Sequence, residues 1–267
     1  MSGYIGKNIR LERILNRETK KTIIVPMDHG LTVGPIKGLE KDLGDMVNKI
    51  ALGGANAVLG HIGIPLYAHR GYGPDIGLIL HLSGSTTLSP TTNYKVLVNT
   101  VLEAVKLGAD GVSVHINIGA QSDPEMLETL GTISRECREY GMPLIAMMYP
   151  RGDNIEDEYD LESIKIAVRV AAELGADIIK TNWPGDPEGF EEVVNGCMVP
   201  VIIAGGAKAG VESILRTTKQ SIEVGGAGVA YGRNVFQAKD PTKVVRALYL
   251  IVHKGYEVIE AMKEANL

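Results

Sequence analysis

Three residues that can do chemistry on a carbonyl compound stand at the ends of short apolar runs. Lys180 closes the run DIIK, Tyr149 closes LIAMMY, and Asp28 follows TIIVPM. A lysine shielded from water can attack a carbonyl as a free amine, and the iminium that forms is an electron sink. The sink lets a neighbouring C–C bond break, provided that other groups move the protons. The three residues therefore predict Schiff-base aldol chemistry.

Each of these residues also has a purely structural interpretation. Lys180 could reach solvent or join an ion pair, Tyr149 could place its hydroxyl in water, and Asp28 could cap a loop. Taken singly, each structural interpretation is the simpler one. Their occurrence together at strand ends favours the catalytic interpretation, with Lys180 as nucleophile.

Alternating strands and helices must position these residues. A pattern of helix, glycine, small polar residue and apolar run occurs four times, which predicts helices that end at left-handed glycines before buried strands. The eight predicted strand segments are 21–30, 52–61, 76–84, 107–116, 142–152, 174–180, 199–207 and 224–232. Amphipathic spacing predicts helices over 95–107, 124–140, 160–174, 209–223 and 241–253.

Eight strands alternating with helices predict an α/β fold, a (β/α)8 TIM barrel. No GxGxxG follows the first strand and no linker divides the chain, which argues against an open doubly wound sheet and favours one domain over residues 1–267. A short N-terminal helix in YIGKNIRLERIL is expected to close the bottom of the barrel, and an extra C-terminal helix is expected over 255–265. In such barrels the chemistry lies at the carboxyl ends of the strands.

Glycines after the seventh and eighth predicted strands indicate a phosphate site. Gly205 and Gly206 lie in AGGA, and Gly232 and Arg233 lie in YGR. Glycines let backbone N–H groups approach an anion, and arginine can bind two phosphate oxygens. The alternative is ordinary turn glycines with a solvated arginine. Because barrels of this kind bind phosphate at these two loops, the substrate is predicted to be a phosphate ester.

Histidines at predicted strand ends raise a competing, metal-dependent interpretation. His29, His61, His81 and His115 could supply a Zn²⁺ site that polarises the carbonyl. No HxH or HxxxH pairing supports such a site, so no metal is expected. The histidines are expected instead to hydrogen-bond loop backbone or substrate hydroxyls.

Composition limits the partners and the compartment. The 267 residues carry a net charge of −5 without a basic stripe, so no nucleic-acid partner is expected. No apolar run approaches the roughly 20 residues of a membrane span, and the N-terminus has no secretory apolar region. The two cysteines have no CxxC spacing, which indicates a reducing compartment. The expectation is a cytoplasmic protein without membrane contact.

Several motifs together resemble the archaeal-type class I aldolase family, which is DeoC-like. In chain order they are VPMDHG, MYPRG, GADIIKT, IIAGG and GVAYGRNVFQ. The resemblance implies a Schiff-base aldolase or transaldolase that uses no cofactor, acts on sugar phosphate and aldehyde substrates, and forms a homo-oligomer.

The resemblance also implies roles for particular residues. Lys180 corresponds to the Schiff-base lysine, Tyr149 to the proton donor and Asp28 to the acidic proton acceptor. Contacts with the sugar phosphate are implied for Asp28, His29, Gly30, Leu31, Thr32, Tyr149, Pro150, Arg151, Lys180, Gly205, Gly206, Gly232 and Arg233.

Within the family, stretches such as HRGYGPDIGLILHLSG resemble the heptulosonate synthases. Fructose-bisphosphate aldolases carry Trp-Ser where this chain has Met147-Met148. The synthase branch implies a transaldol reaction: a ketohexose phosphate loses a phosphorylated fragment, and the bound enamine adds to L-aspartate semialdehyde. A fructose-1,6-bisphosphate aldolase and a non-catalytic sugar-phosphate-binding barrel remain alternatives. Trp183-Pro184 departs from the family's Tyr-Thr, so Trp183 is predicted to shape the acceptor pocket.

Overall fold

The structure, a computed structural model, describes residues 2–68 and 71–267. Its strands are β1 (Thr22–Pro26), β2 (Ala57–Gly60), β3 (Gly77–His81), β4 (Ser83–Gly84), β5 (Val96–Leu97), β6 (Gly111–Ile118), β7 (Leu144–Pro150), β8 (Ile178–Thr181), β9 (Val201–Ala204) and β10 (Gly228–Ala230). All except β4 and β5 are parallel and close a barrel in the order β1-β10-β9-β8-β7-β6-β3-β2. The predicted (β/α)8 TIM barrel is confirmed.

Helices surround the barrel, and they include the helices predicted over 124–140, 160–174, 209–223 and 241–253. They are α1 (Ser2–Ile14), α2 (His29–Val33), α3 (Leu43–Gly53), α4 (Gly63–Tyr67), α5 (Val101–Lys106), α6 (Asp123–Tyr140), α7 (Leu161–Glu173), α8 (Pro187–Asn195), α9 (Val211–Glu223), α10 (Arg233–Phe236), α11 (Pro241–Lys254) and α12 (Val258–Glu264). The extra C-terminal helix is α12. None of the described helices combines the length and the apolar composition that crossing a membrane requires.

Left-handed glycines end four of the helix segments before the barrel strands, as predicted. Gly54, Gly108, Gly175 and Gly225 have φ values of 100°, 72°, 88° and 95°. Glycine adopts this conformation without the steric cost that a Cβ imposes. The chain therefore reverses tightly at these positions and enters the next strand.

Side chains alternate along each barrel strand between two apolar cores. One core lies inside the barrel and includes Ile24, Leu59, Ile79, Ile145, Ile178 and Ile202. The other lies between the strands and the helices and includes Val25, Val58, Leu80, Ala146, Ile179 and Ile203. The alternation decides which residues of a strand can reach the barrel mouth.

Helix α1 closes the amino-terminal end of the barrel, as predicted. Ile14 is fully buried in the inner core. Lys7 Nζ lies 2.9 Å from Asp177 Oδ2 and Arg13 Nε lies 2.5 Å from Asp110 Oδ1, at the starts of two strands. This end is filled with side chains, so the chemistry must lie at the other end.

The predicted helix over 95–107 is wrong in its first part. Val96 and Leu97 pair antiparallel with β4 and form a two-stranded ribbon, and the helix begins only at Val101. Thr100 caps it by accepting a hydrogen bond of 3.1 Å from the backbone N–H of Glu103. A threonine that binds the N3 backbone fixes the helix start, so the residues before Thr100 follow the ribbon.

Candidate active site

A cavity of about 420 Å³ opens at the carboxyl ends of the barrel strands. Lys180, Tyr149 and Asp28 all line it, as do Arg151 and Arg233. The structure therefore brings the three predicted catalytic residues, and two cations that could bind phosphate, to a single site.

Lys180 points into the barrel because it shares the inward side of β8 with Ile178. The next residue, Thr181, points outward and donates a hydrogen bond of 3.0 Å from Oγ1 to Met148 O, which fixes β8 against β7. Lys180 is 8% exposed, and its Nζ lies 4.0 Å from Met147 Sδ. Among the described residues no carboxylate forms an ion pair with Lys180, so neither structural interpretation of this lysine holds.

Asp28 lies at the end of β1 among basic groups. Its Oδ1 is 3.3 Å from His29 Nδ1 and its Oδ2 is 4.0 Å from His81 Nε2. Burial alone would raise the pKa of Asp28, but the charges of His81, His29 and Lys180 outweigh burial and lower that pKa to about 2. Asp28 is therefore ionised at neutral pH and able to accept a proton.

His81 and His61 lie below Asp28 as neutral imidazoles. His81 Nδ1 is 2.7 Å from Ser113 Oγ, and the two histidine rings lie 5.1 Å apart. Burial lowers the pKa of His81 to about 4, although Asp28 opposes that change. Burial also lowers the pKa of His61. At neutral pH both imidazoles are therefore uncharged.

His115 lies on the far side of the cavity, beside Tyr149. Its Nε2 is 2.8 Å from Asn117 Oδ1, and its ring centroid is 4.9 Å from that of Tyr149. Burial lowers the pKa of His115 well below its usual range. The portion of the chain that the structure describes contains no group of three or more His, Cys, Asp and Glu side chains placed to hold a metal ion.

The loops after β9 and β10 are joined to each other at the cavity rim. Arg233 Nη2 donates a hydrogen bond of 3.0 Å to Gly206 O, and Asn234 Nδ2 donates one of 2.8 Å to Gly205 O. Gly206 has a φ of 57°, which a residue with a Cβ adopts only with strain. The predicted phosphate residues therefore lie together, with Arg233 exposed at the cavity mouth.

Gly232 is required because the neighbouring chain approaches it closely. A Cβ at this position would lie 2.6 Å from His29 Cε1 and 2.8 Å from Pro26 O. Gly232 therefore lets the loop after β10 pack against the loop after β1. Burial lowers the pKa of His29, Asp28 opposes that change, and the charges of Lys180 and Arg233 lower the pKa further.

Arg151 lies at the end of β7 and is paired with a residue that the sequence did not indicate. Its Nε and Nη2 each donate a hydrogen bond of 2.6 Å to Glu158. The guanidinium carbon lies 5.3 Å from the centre of the Tyr149 ring. Other cavity residues that sequence reasoning missed are Lys95, Tyr159, Asn182 and Asn234.

Four of the predicted site residues do not line the cavity. Gly30 and Leu31 lie in α2, where Leu31 packs over Gly84 of the ribbon, and Pro150 is buried at the end of β7. The ring of Trp183 lies 5.2 Å from that of Phe190 and packs on the outer core. Trp183 therefore does not line the cavity, and its influence on the acceptor pocket stays a prediction. His69-Arg70, which begin one quoted motif, lie outside the described residues.

Comparison with known proteins relates the chain to aldolases and to two named synthases. The profile of the family described as "DeoC/LacD family aldolase" matches residues 22–238. The chain is 42% identical to "2-amino-3,7-dideoxy-D-threo-hept-6-ulosonate synthase 1" of Archaeoglobus fulgidus, covering 98% of this chain and 97% of that protein. It is 36% identical to "2-amino-4,5-dihydroxy-6-oxo-7-(phosphonooxy)heptanoate synthase" of Streptomyces griseus, covering 94% and 91%.

Among solved structures, the chain is similar to an archaeal fructose-1,6-bisphosphate aldolase. That structure has its catalytic lysine covalently bound to the carbinolamine intermediate of the substrate. The TM-score is 0.84 at 33% identity, and the alignment covers 92% of this chain and 99% of the other.

Proposed function

The chain belongs to the DeoC/LacD aldolase family, and we propose that it is a Schiff-base-forming transaldolase, a 2-amino-3,7-dideoxy-D-threo-hept-6-ulosonate synthase. The donor is a ketohexose phosphate and the acceptor is L-aspartate semialdehyde. The product feeds 3-dehydroquinate and aromatic amino acid biosynthesis. The observation that carries this proposal is the position of Lys180, buried in a charged cavity with Tyr149 and Asp28.

The names of the two relatives support the choice of acceptor. Both describe seven-carbon 2-amino acids with a keto group at carbon 6. A three-carbon enamine and a four-carbon amino acid semialdehyde together supply such a chain. The carboxylate of the acceptor then lies at the end remote from the carbon that forms the imine.

Imine formation is the first step of the proposed reaction. Lys180 Nζ adds to the ketone of the donor, and the carbinolamine loses water to give an iminium ion. Asp28, which is ionised at neutral pH, accepts the proton that the adding amine loses and returns it to the departing hydroxyl, so that water leaves and the carboxylate is again negative when the iminium has formed. Its negative charge also stabilises the iminium in the water-poor barrel mouth.

Cleavage and transfer follow at the enamine carbon. As the C–C bond breaks, the hydroxyl of Tyr149 takes the proton of the β-hydroxyl and passes its own proton to the ionised carboxylate of Asp28, which lines the same cavity, while the electron pair of that bond moves to the iminium nitrogen. The phosphorylated aldehyde leaves. The enamine then attacks the aldehyde carbon of the acceptor, Tyr149 protonates the new alkoxide, and water releases the product from Lys180.

The phosphate of the donor is proposed to bind at the rim of the cavity, through backbone N–H groups and arginine side chains that flank Lys180. On one side are Gly205, Gly206 and Arg233, and on the other is Arg151. The protonated imine is itself the electron sink, so the chemistry requires no metal and no organic cofactor. The homo-oligomer implied by the resemblance remains a prediction, which light scattering after gel filtration would check.

Borohydride trapping tests the imine. The protein is reduced in the presence of the ketose phosphate, and the adduct is located by peptide mass mapping. The expected adduct lies on Lys180. Lys95, which lines the same cavity, is the internal control: an adduct on Lys95, or no adduct, refutes the proposal. Loss of activity with EDTA would favour metal-dependent chemistry instead.

Fructose-1,6-bisphosphate aldolase is the second candidate function. The likeness to the solved archaeal aldolase and the presence of cations on both sides of Lys180 favour it, since that substrate carries a phosphate at each end. The two candidates are separated by measuring consumption of L-aspartate semialdehyde against cleavage of the bisphosphate. Exclusive cleavage of the bisphosphate would overturn the synthase assignment.

A further inference from the structure

Cations lie on opposite sides of the cavity. Arg233 follows β10, whereas Lys95 precedes β5 in a loop held beside β6, where Asn117 Nδ2 donates a hydrogen bond of 2.7 Å to Asn93 O. In the barrel, β6 lies four strands from β10, and β8 with Lys180 lies two strands from each. A ligand that reaches both cations therefore places its middle carbons over Lys180.

Lys95 is held in the cavity wall by its own loop. Its ammonium donates hydrogen bonds of 2.5 Å to Ser85 Oγ and 2.9 Å to Thr92 O, which leaves one N–H for a ligand. No carboxylate of the described residues forms an ion pair with Lys95, whereas Glu158 neutralises Arg151. Burial, together with the charge of Arg151, lowers the pKa of Lys95. Burial removes water from the Lys95 ammonium. An anion that accepts a hydrogen bond from this ammonium is therefore bound more strongly than an anion at an exposed lysine.

The position of Tyr149 determines which side of Lys180 receives the aldehyde. Strand β7 lies between β8 and β6, so Tyr149 stands on the Lys95 side of Lys180. The Tyr149 ring contacts that of His115, on which the charge of Lys95 acts. In the proposed mechanism Tyr149 exchanges a proton with the oxygen of the aldehyde. The remainder of the acceptor therefore extends from Tyr149 towards Lys95.

Building on the proposed function, we propose that Lys95 binds the α-carboxylate of the amino acid semialdehyde acceptor and so determines which aldehyde reacts. The aldehyde group of the leaving fragment vacates the space beside Tyr149 that the aldehyde group of the acceptor then enters. An aldehyde of similar length without a carboxylate does not gain this contact. The role of Lys95 is therefore selection of the acceptor, and it takes no part in imine formation.

The test compares two acceptors at saturating donor. We would measure kcat/KM for L-aspartate semialdehyde and for propanal in the wild type and in Lys95→Met, Lys95→Arg and the exposed-site control Lys239→Met. Lys95→Met is expected to lower the ratio of the two kcat/KM values at least about tenfold, the usual effect of losing one charge-assisted hydrogen bond. Lys95→Arg should keep most of the ratio, and Lys239→Met all of it.

Two results overturn the assignment. Unchanged kcat/KM values for both acceptors in Lys95→Met show that the carboxylate binds elsewhere, and an equal loss with both acceptors shows that Lys95 only supports the ribbon. If Lys95→Met does not fold, the wild type decides: equal kcat/KM for the acceptor and its α-carboxamide refutes a cation at the carboxylate. A wild type that traps donor on Lys180 yet never consumes L-aspartate semialdehyde overturns the proposed function as well. Normal wild-type turnover with an unchanged ratio overturns only the role of Lys95.

Discussion

Acidification is expected to destabilise this protein through His81. In the folded chain burial lowers the pKa of His81 to about 4, whereas in the unfolded chain the pKa returns to its ordinary value of 6.5. Between these pH values the unfolded chain binds more protons, so the free energy of unfolding falls as the pH drops from 6.5 to 4. The gap between the two pKa values corresponds to about 3 kcal/mol. Because domains have only about 5–15 kcal/mol of stability, this loss is large.

Urea unfolding of His81→Asn at several pH values between 6.5 and 4 measures this contribution. The asparagine amide falls near the position of Nδ1 and can keep the hydrogen bond to Ser113, so the variant removes the titration while retaining that contact. Over this pH range the free energy of unfolding should fall by about 3 kcal/mol less in His81→Asn than in the wild type. His253→Asn is the matched control, since His253 also has a pKa of about 4 but lies away from the cavity. His253→Asn should flatten the pH dependence similarly without affecting turnover. A His81→Asn variant as acid-sensitive as the wild type would refute the reasoning.

Three further predictions concern the proposed catalytic and phosphate groups. Tyr149→Phe should lower turnover about 10²- to 10⁴-fold while borohydride still traps donor on Lys180; loss of the adduct would show that tyrosine acts before imine formation. Gly232→Ala places a Cβ against backbone and the His29 ring, so it should lower the free energy of unfolding in urea by about 1–3 kcal/mol. Gly210→Ala has open space around its Cβ and should lower it by less than about 1 kcal/mol. Equal losses in the two variants would contradict the close approach at Gly232. Arg233→Met should raise the KM of the ketose phosphate about tenfold, and an unchanged KM would remove Arg233 from the phosphate site.

The barrel, and the meeting of its candidate catalytic residues at one mouth, could be predicted because both depend on local signals. Left-handed glycines such as Gly175 mark helix ends, and the buried run that follows ends at Lys180. This arrangement occurs four times and apolar runs mark the other four predicted strands, so the strand ends follow from the local sequence without any knowledge of long-range contacts. Once the strand ends are known, the closed barrel places them around one mouth.

Lys95 was missed because its surroundings were assigned to the wrong element. Apolar residues at Val98, Val101, Leu102 and Val105 follow a helical spacing, which extended the predicted helix back to residue 95. The sequence nevertheless contains the signal for a later start, since Thr100 and Glu103 have the spacing of a capping box. With the helix starting after Thr100, Lys95 falls in a connection on the catalytic side of the barrel. Its contact with the cavity still depends on pairing between β4 and β5, which no local pattern specifies.

Alternation along β8 explains which neighbour of Lys180 can influence the acceptor. Ile178 and Lys180 point into the barrel, so Asn182 is directed towards the cavity and Trp183 towards Phe190. Asn182 Nδ2 donates a hydrogen bond of 3.0 Å to Glu158 O, which ties it to the loop after β7. Because Asn182 lines the cavity and Trp183 does not, we expect the departure at Trp183 to reach the acceptor through the backbone that carries Asn182. We therefore expect the choice of acceptor among related chains to vary with the cavity-facing residues of the loops after β7 and β8. It should vary less with the residue at the position of Trp183.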